Sequence, residues 1–346
     1  MLFDSIVGIF LSFGKLGIAI WLLFTYQDKL IVYGLLFAIL IIVDTIIKAT
    51  YCCNKYKECE VKIVTYFDSS LFKEMFSFAG WNTFGALSGL GRNQGLAIIL
   101  NLFYGVIVNA AFGIAVQING LMNTFSANLL KALNPQIVNS EGAGKRNLMI
   151  DLSIKASKFS FFLISFFAIP LIFEMPFLLK LWLIEVPDYS IIFCQLILIM
   201  TLINHLSIGL QIAVQSIGKI KLYQTVVGGF LICSLPISYF LLKLGMPVYS
   251  PFIAIIIIEI FGCYFRIYYM KKFGGLSVIK YLKEVILKIS LPLLFMILIC
   301  MLSCYLVEES LFRFILTVFS ASITNLLVIY FFGLSNSEKV GFYLTI

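Results

Sequence analysis

Along this chain, apolar residues do not alternate with polar ones. They continue for 18 or more positions at a time, separated by short polar stretches. A helix crossing the hydrocarbon of a bilayer needs about 20 mostly apolar residues. Ten stretches meet that need, at 6–24, 30–47, 77–103, 106–130, 154–173, 189–215, 223–243, 248–268, 285–306 and 311–332. The strands of a membrane barrel alternate polar and apolar residues, whereas a run such as Ile253 to Ile258 is continuously apolar. The pattern predicts an all-α, polytopic membrane protein with about ten transmembrane helices.

Composition excludes the other classes. Hydrophobic residues make up 61% of the 346 and charged residues 12%, against roughly 45–50% and about 25% in soluble domains. A soluble fold would leave the 34 Phe and 17 Tyr in large exposed patches. Disorder needs low hydrophobicity. The apolar stretch from Ile6 has no positive charge ahead of it and no small-residue cleavage site after it. It is therefore expected to stay in the protein as the first helix.

The net charge of +8 reports orientation. Cytoplasmic loops carry the Lys/Arg excess. With both termini cytoplasmic, the inner loops, their flanks and the tail hold 19 of the 25 Lys and Arg, including Lys57, Lys62, Lys158, Arg266 and Lys339. The outer side holds Lys29, Lys180, Lys243 and Arg313, while Lys15 and Arg92 fall within spans. Charge spread over every inner loop argues against nucleic acid and suits anionic lipid headgroups.

The eight cysteines form no disulfide framework. Five lie in apolar spans, where cysteine behaves as a small hydrophobe. Cys52, Cys53 and Cys59 share an inner loop with no histidine nearby, so free thiols are expected there and no metal. No cofactor motif and no catalytic constellation appears, and the chain is read as a non-enzyme. GLGRNQG at 89–95 lacks the strand and lysine of a phosphate loop.

Polar residues inside spans carry the functional signal, because they are costly in lipid. In the fourth span Asn109, Gly113, Gln117, Gly120, Thr124 and Asn128 recur at helical spacing on one face, with Asn119 and Asn123 beside it. That face is expected to line a cavity or to bind neighbouring helices. In the third span Gly85 and Gly89 permit close helix approach. Arg92 follows with Asn93, and its guanidinium matches an anionic group or reaches the outer interface. Lys15, in the first span, is the second candidate cation. Glu259 lies deep in the eighth span, with Arg266 on its face seven residues on. It is read as a partner for a cation or as an ion-coupling site. His205 sits in the sixth span near Asn204, Gln211 and Gln215, as structure or as a titrating group. Asp44 pairs with Lys48 at i,i+4.

Several segments carry a resemblance: FAGWNTFG from Phe78 to Gly85, GVIVNAAFGIA from Gly105 to Ala115, KALNPQI from Lys131 to Ile137, LWL from Leu181 and VPDY to Tyr189, GKIKLY from Gly218 to Tyr223, and PISY from Pro236 to Tyr239. In this order the chain resembles the polysaccharide (O-antigen type) flippases of the multidrug/oligosaccharidyl-lipid/polysaccharide exporter superfamily. The resemblance covers residues 1 to about 332. It implies a bacterial inner-membrane protein that moves an undecaprenyl-diphosphate-linked oligosaccharide between leaflets by alternating access. Membrane lipids, a polysaccharide polymerase and glycosyltransferases are the implied partners.

On that mapping, residues 1–75 are the remnant of a first lobe, 76–272 a six-helix second lobe, and 273–346 two added helices and a tail. The resemblance implies about four further helices ahead of residue 1. The expected cavity residues are Lys15, Arg92, Asn93, Asn109, Gln117, Asn123 and Asn128, with Glu259 and His205 for ion coupling. The alternatives are a cation-coupled multidrug exporter of the same superfamily and a non-transporting subunit of the glycan-assembly machinery.

Overall fold

The computed structural model describes residues 2–24, 28–56, 67–335 and 338–339. Cys59, Lys57 and Lys62, placed above in an inner loop, lie outside the described residues. Every regular element among the described residues is helical. The protein is an all-α, multi-pass membrane protein. Among the described residues, seven helices are long and apolar enough to cross a membrane, or eight when one bent pair counts as a single span. By contacts the chain divides into two compact units, Met1–Phe72 and Lys73–Ile346.

The first unit is a hairpin of α1 (Leu2–Leu23) and α2 (Lys29–Lys55). The contacts run antiparallel. Phe3 stacks on Tyr51 at 3.7 Å, and the Lys15 ammonium lies 5.4 Å over the Phe37 ring. A Cβ on Gly14 would meet Leu40, so this glycine sets the helix approach. The apolar part of α1, Ile6–Leu22, is short for a span.

The second unit opens, from Lys73, within α3 (Ser69–Gly142, 74 residues). Straight, it would run about 110 Å, far beyond the roughly 30 Å of hydrocarbon. It breaks at Gly105, where φ 78 and ψ −168 suit only a residue without Cβ. The break falls in the gap that the apolar pattern leaves between its third and fourth spans. The limb before Gly105 packs on α7 (Ile220–Lys243). A Cβ on Gly85 would strike Gln224, and one on Gly228 would strike Phe84 and Ser88. Gly89, paired with Gly85 in the sequence reading, has open space instead.

α4 (Arg146–Trp182) runs through Pro170 and Pro176, well past the expected 154–173. The expected sixth span is two helices, α5 (Ser190–His205) and α6 (Ile208–Ser216), bent by 46°. Gly209 seats α6 on α4, where a Cβ would stand 2.1 Å from the Ser153 carbonyl oxygen. Its N–H donates to Ser157 Oγ at 3.1 Å. The remaining helices are α8 (Ser250–Gly274), α9 (Val278–Leu306) and α10 (Leu311–Gly333). The pairs α7/α8 and α9/α10 are hairpins, and α9 and α10 both pack on α4. Phe193 of α5 stacks on Phe252 of α8 at 4.4 Å in the buried core. Outward-facing Leu, Ile and Phe side chains cover much of the rest, the surface that lipid would solvate.

Three charges close to the ends of predicted spans are helix residues in the interior. Glu174 of α4 has no exposed surface, and Lys158 of α4 has 1%. Arg266, counted with an inner loop, is buried in α8. Each sits beside a partner of opposite charge, as burial demands. Arg313 of α10 holds Glu174, Glu338 holds Lys158, and Glu259 holds Arg266.

Candidate functional site: a polar cavity beside an apolar groove

Within the second unit, α3, α5, α6, α7 and α8 enclose a cavity of about 380 Å³. Its wall is amide-rich: Asn82, Asn119, Asn123, Asn204, Gln211, Gln215 and Gln224, with Thr201 and Tyr223. Three charged side chains complete it, Arg92, Glu259 and Arg266. Periodicity puts these groups together. Asn204, Gln211 and Gln215 follow one face across the α5–α6 bend, and Glu259 and Arg266 are two turns apart on α8.

The carboxylate of Glu259 organises the charges. Its Oε1 accepts from Asn204 Nδ2 and from Arg266 Nη2, the latter at 3.3 Å. Its Oε2 faces Arg92 Nη1 at 3.9 Å. Arg266 also donates from Nη1 to Ser207 Oγ at 3.0 Å and from Nε to Tyr223 Oη at 3.1 Å. It thereby ties the α5–α6 bend to α7 and α8. The Tyr281 hydroxyl of α9 donates to the Leu206 carbonyl in the same bend. A broken helix persists at membrane depth only where its freed backbone groups find such partners.

The amides are partly committed. Asn119 Oδ1 accepts from Asn123 Nδ2 at 3.0 Å and from Thr201 Oγ1 at 2.9 Å. Gln224 Nε2 donates to Asn82 Oδ1 at 3.2 Å. The amides of Gln211 and Gln215 have no hydrogen-bond partner among the described residues. Such groups offer paired donors and acceptors to hydroxyl-rich or anionic ligands.

On another face of α5 lies an apolar groove of about 480 Å³. It is lined by Phe161, Ile169, Ile172 and Phe173 of α4, Ile199, Leu202 and Ile203 of α5, Leu206 of the bend after it, and Ile286, Ile289, Leu293 and Ile297 of α9. Its one polar residue, Ser290, donates its hydroxyl to the Leu287 carbonyl of its own helix. One helix thus presents Thr201 and Asn204 to a polar space and Leu202 and Ile203 to an apolar one.

The expected site residues divide. Arg92, Asn123 and Glu259 line the cavity, and Asn93 lines a small pocket beside Arg92. Arg92 points inward with its side chain 13% exposed, so it does not reach out to the interface. The stripe of the fourth span does not face the cavity. Gln117, Thr124 and Asn128 are exposed and Asn109 is half-buried, while Phe112, Ile118 and Met122 form the packed face. Lys15 belongs to the first unit, over Phe37.

His205 is buried behind the wall. Its Nδ1 meets Ser160 Oγ at 3.0 Å and Ser126 Oγ at 3.3 Å, and Nε2 has no partner among the described residues. Among the polar cavity residues, Asn82, Asn119, Thr201, Asn204, Gln211, Gln215, Tyr223, Gln224 and Arg266 were not among the expected site residues. For Arg266 the signal was present in its seven-residue spacing from Glu259.

No protein-family model matches the chain, and neither the curated proteins nor the solved structures contain a match to it.

Proposed function

We propose that the protein is a flippase for a lipid-linked oligosaccharide, working by alternating access. The observation that carries this reading is the pairing of an amide-rich, arginine-bearing cavity with an apolar groove on one helix. A lipid-linked sugar has the same two-part chemistry. Its diphosphate suits a guanidinium, its hydroxyls suit Asn and Gln, and its isoprenoid tail suits a groove without polar groups. The exposed polar residues Gln117, Thr124 and Asn128 would face water, not lipid. The breaks at Gly105 and at Leu206–Ser207 give the helices places to move.

The finer assignments belong to this reading. They are membership of the polysaccharide flippases, a bacterial inner-membrane location with both termini cytoplasmic, an undecaprenyl-diphosphate carrier, and work beside a polymerase and glycosyltransferases. An exporter of cationic drugs fits the site less well, because two guanidinium groups flank its one carboxylate. The test is transfer of undecaprenyl-diphosphate-linked oligosaccharide across liposomes containing the purified protein. A protein that only scaffolds the assembly machinery would bind a polymerase and transfer nothing.

A further inference from the structure

The two arginines of the cavity are not equivalent. Arg266 is 4% exposed and spends its donors on Tyr223, Ser207 and Glu259. Arg92 is held loosely. Its Nε donates to Asn93 Oδ1 at 3.3 Å, and its contact with Glu259, at 3.9 Å, is beyond hydrogen-bond distance. Among the described residues, neither Nη group of Arg92 makes a hydrogen bond. A guanidinium with both Nη groups free and turned into a polar cavity is a fork ready for an oxyanion.

Glu259 stands against this fork. Asn204 and Arg266 fix one of its oxygens, leaving the other aimed at Arg92. All three groups that hold or face the carboxylate are donors or cations. An incoming anion would therefore meet an attractive Arg92 and a repulsive Glu259 less than 4 Å beyond it.

We infer that Glu259 is a built-in counter-anion, competing with the ligand for Arg92, and that Arg266 is a positioning residue acting through Glu259. This rests on the reading that the cavity takes an anionic group. The site carries two positive charges and one negative. With the ligand's oxyanion on Arg92 and Glu259 on Arg266, each guanidinium has its own partner. The internal carboxylate weakens binding of the anion, which favours its release after transfer.

The experiment is calorimetric titration of inorganic pyrophosphate into the purified full-length protein in a neutral detergent. Four forms are compared: wild type, Glu259→Gln, Arg92→Gln, and the double variant. Glutamine keeps an oxygen for Asn204 and Arg266 and removes the charge. The expected result is a Kd about tenfold lower for Glu259→Gln, corresponding to about 1.4 kcal/mol. Binding should be lost in Arg92→Gln and should stay lost in the double variant. Arg92-dependent binding that Glu259→Gln leaves unchanged or weakens overturns the inference but not the anionic site. Binding that survives in the double variant overturns it too, because the anion then sits on Arg266. If neither wild type nor Glu259→Gln binds pyrophosphate, the anionic reading falls and the inference with it. Thermal unfolding of each variant confirms that it is folded before it is scored.

Discussion

Glu174, with no exposed surface, is clasped by the guanidinium of Arg313, with Nε 3.0 Å from Oε1 and Nη2 3.1 Å from Oε2. Thr317 adds a hydroxyl donor at 2.9 Å. The pair pins α10 to α4 and stands apart from the cavity. Removing one partner of a buried pair strands the other charge and costs about 3–5 kcal/mol. Arg313→Ala should therefore lower the Tm in detergent markedly, whereas Glu174→Gln/Arg313→Met, which removes both charges, should recover much of the loss. Pyrophosphate binding by the folded fraction should be unchanged, since neither residue touches the cavity.

Glycine substitutions should separate tight contacts from open ones. A Cβ at Gly209 would stand 2.1 Å from a backbone oxygen of α4, and one at Gly89 would meet nothing within 4 Å. Gly209→Ala should cost about 1–3 kcal/mol through overpacking. Gly89→Ala should be neutral or slightly stabilising, because alanine is the better helix former. Paired thermal melts of the two variants check the contrast.

The C-terminal segment should respond to pH. Burial raises the Glu338 carboxyl, but the Lys158 ammonium and the Ser335 N–H and hydroxyl outweigh it and hold Glu338 below its ordinary 4.5. With its folded value depressed, the carboxylate contributes stability that is present above about pH 4.5. That stability is lost as pH falls through the lower, folded value. Trypsin cleavage after Lys339 should become faster in Lys158→Met at neutral pH. In an acid series read by thermal melts, Glu338→Gln should lose less stability than wild type as the pH drops below 4.5.

Some of this was legible in the amino-acid pattern and some was not. The all-helical membrane class followed from uninterrupted apolar runs. The Gly105 break coincides with a gap in those runs, and glycine is the residue that such a backbone requires. Arg92, Asn123 and Glu259 were found because a polar group in an apolar run stands out.

Glu174, Lys158 and Arg266 were missed as buried charges because each lies close to a predicted span end. Only packing reveals that α4 continues past Phe173 and that α8 buries its last turns. The bend at Leu206–Ser207 contains neither proline nor glycine, and the groups that contact it, Arg266, Tyr281 and the α4 backbone at Ser153 beside Gly209, come from other helices. Helical spacing puts the stripe of α3 on one face. Its direction was not legible, because helical spacing groups residues without saying which neighbour they meet.

Transfer itself is the decisive measurement. Purified protein is reconstituted into liposomes that carry undecaprenyl-diphosphate-linked oligosaccharide. An impermeant glycosidase outside reports how fast the inner-leaflet sugar becomes accessible. Wild type should make that pool accessible well above protein-free liposomes. Arg92→Ala should remove the acceleration while its Tm stays near that of wild type. Ile203→Trp, which fills the apolar groove, should slow transfer without weakening pyrophosphate binding. Wild-type liposomes no faster than protein-free ones, or undiminished transfer by Arg92→Ala, would contradict the flippase reading of this cavity.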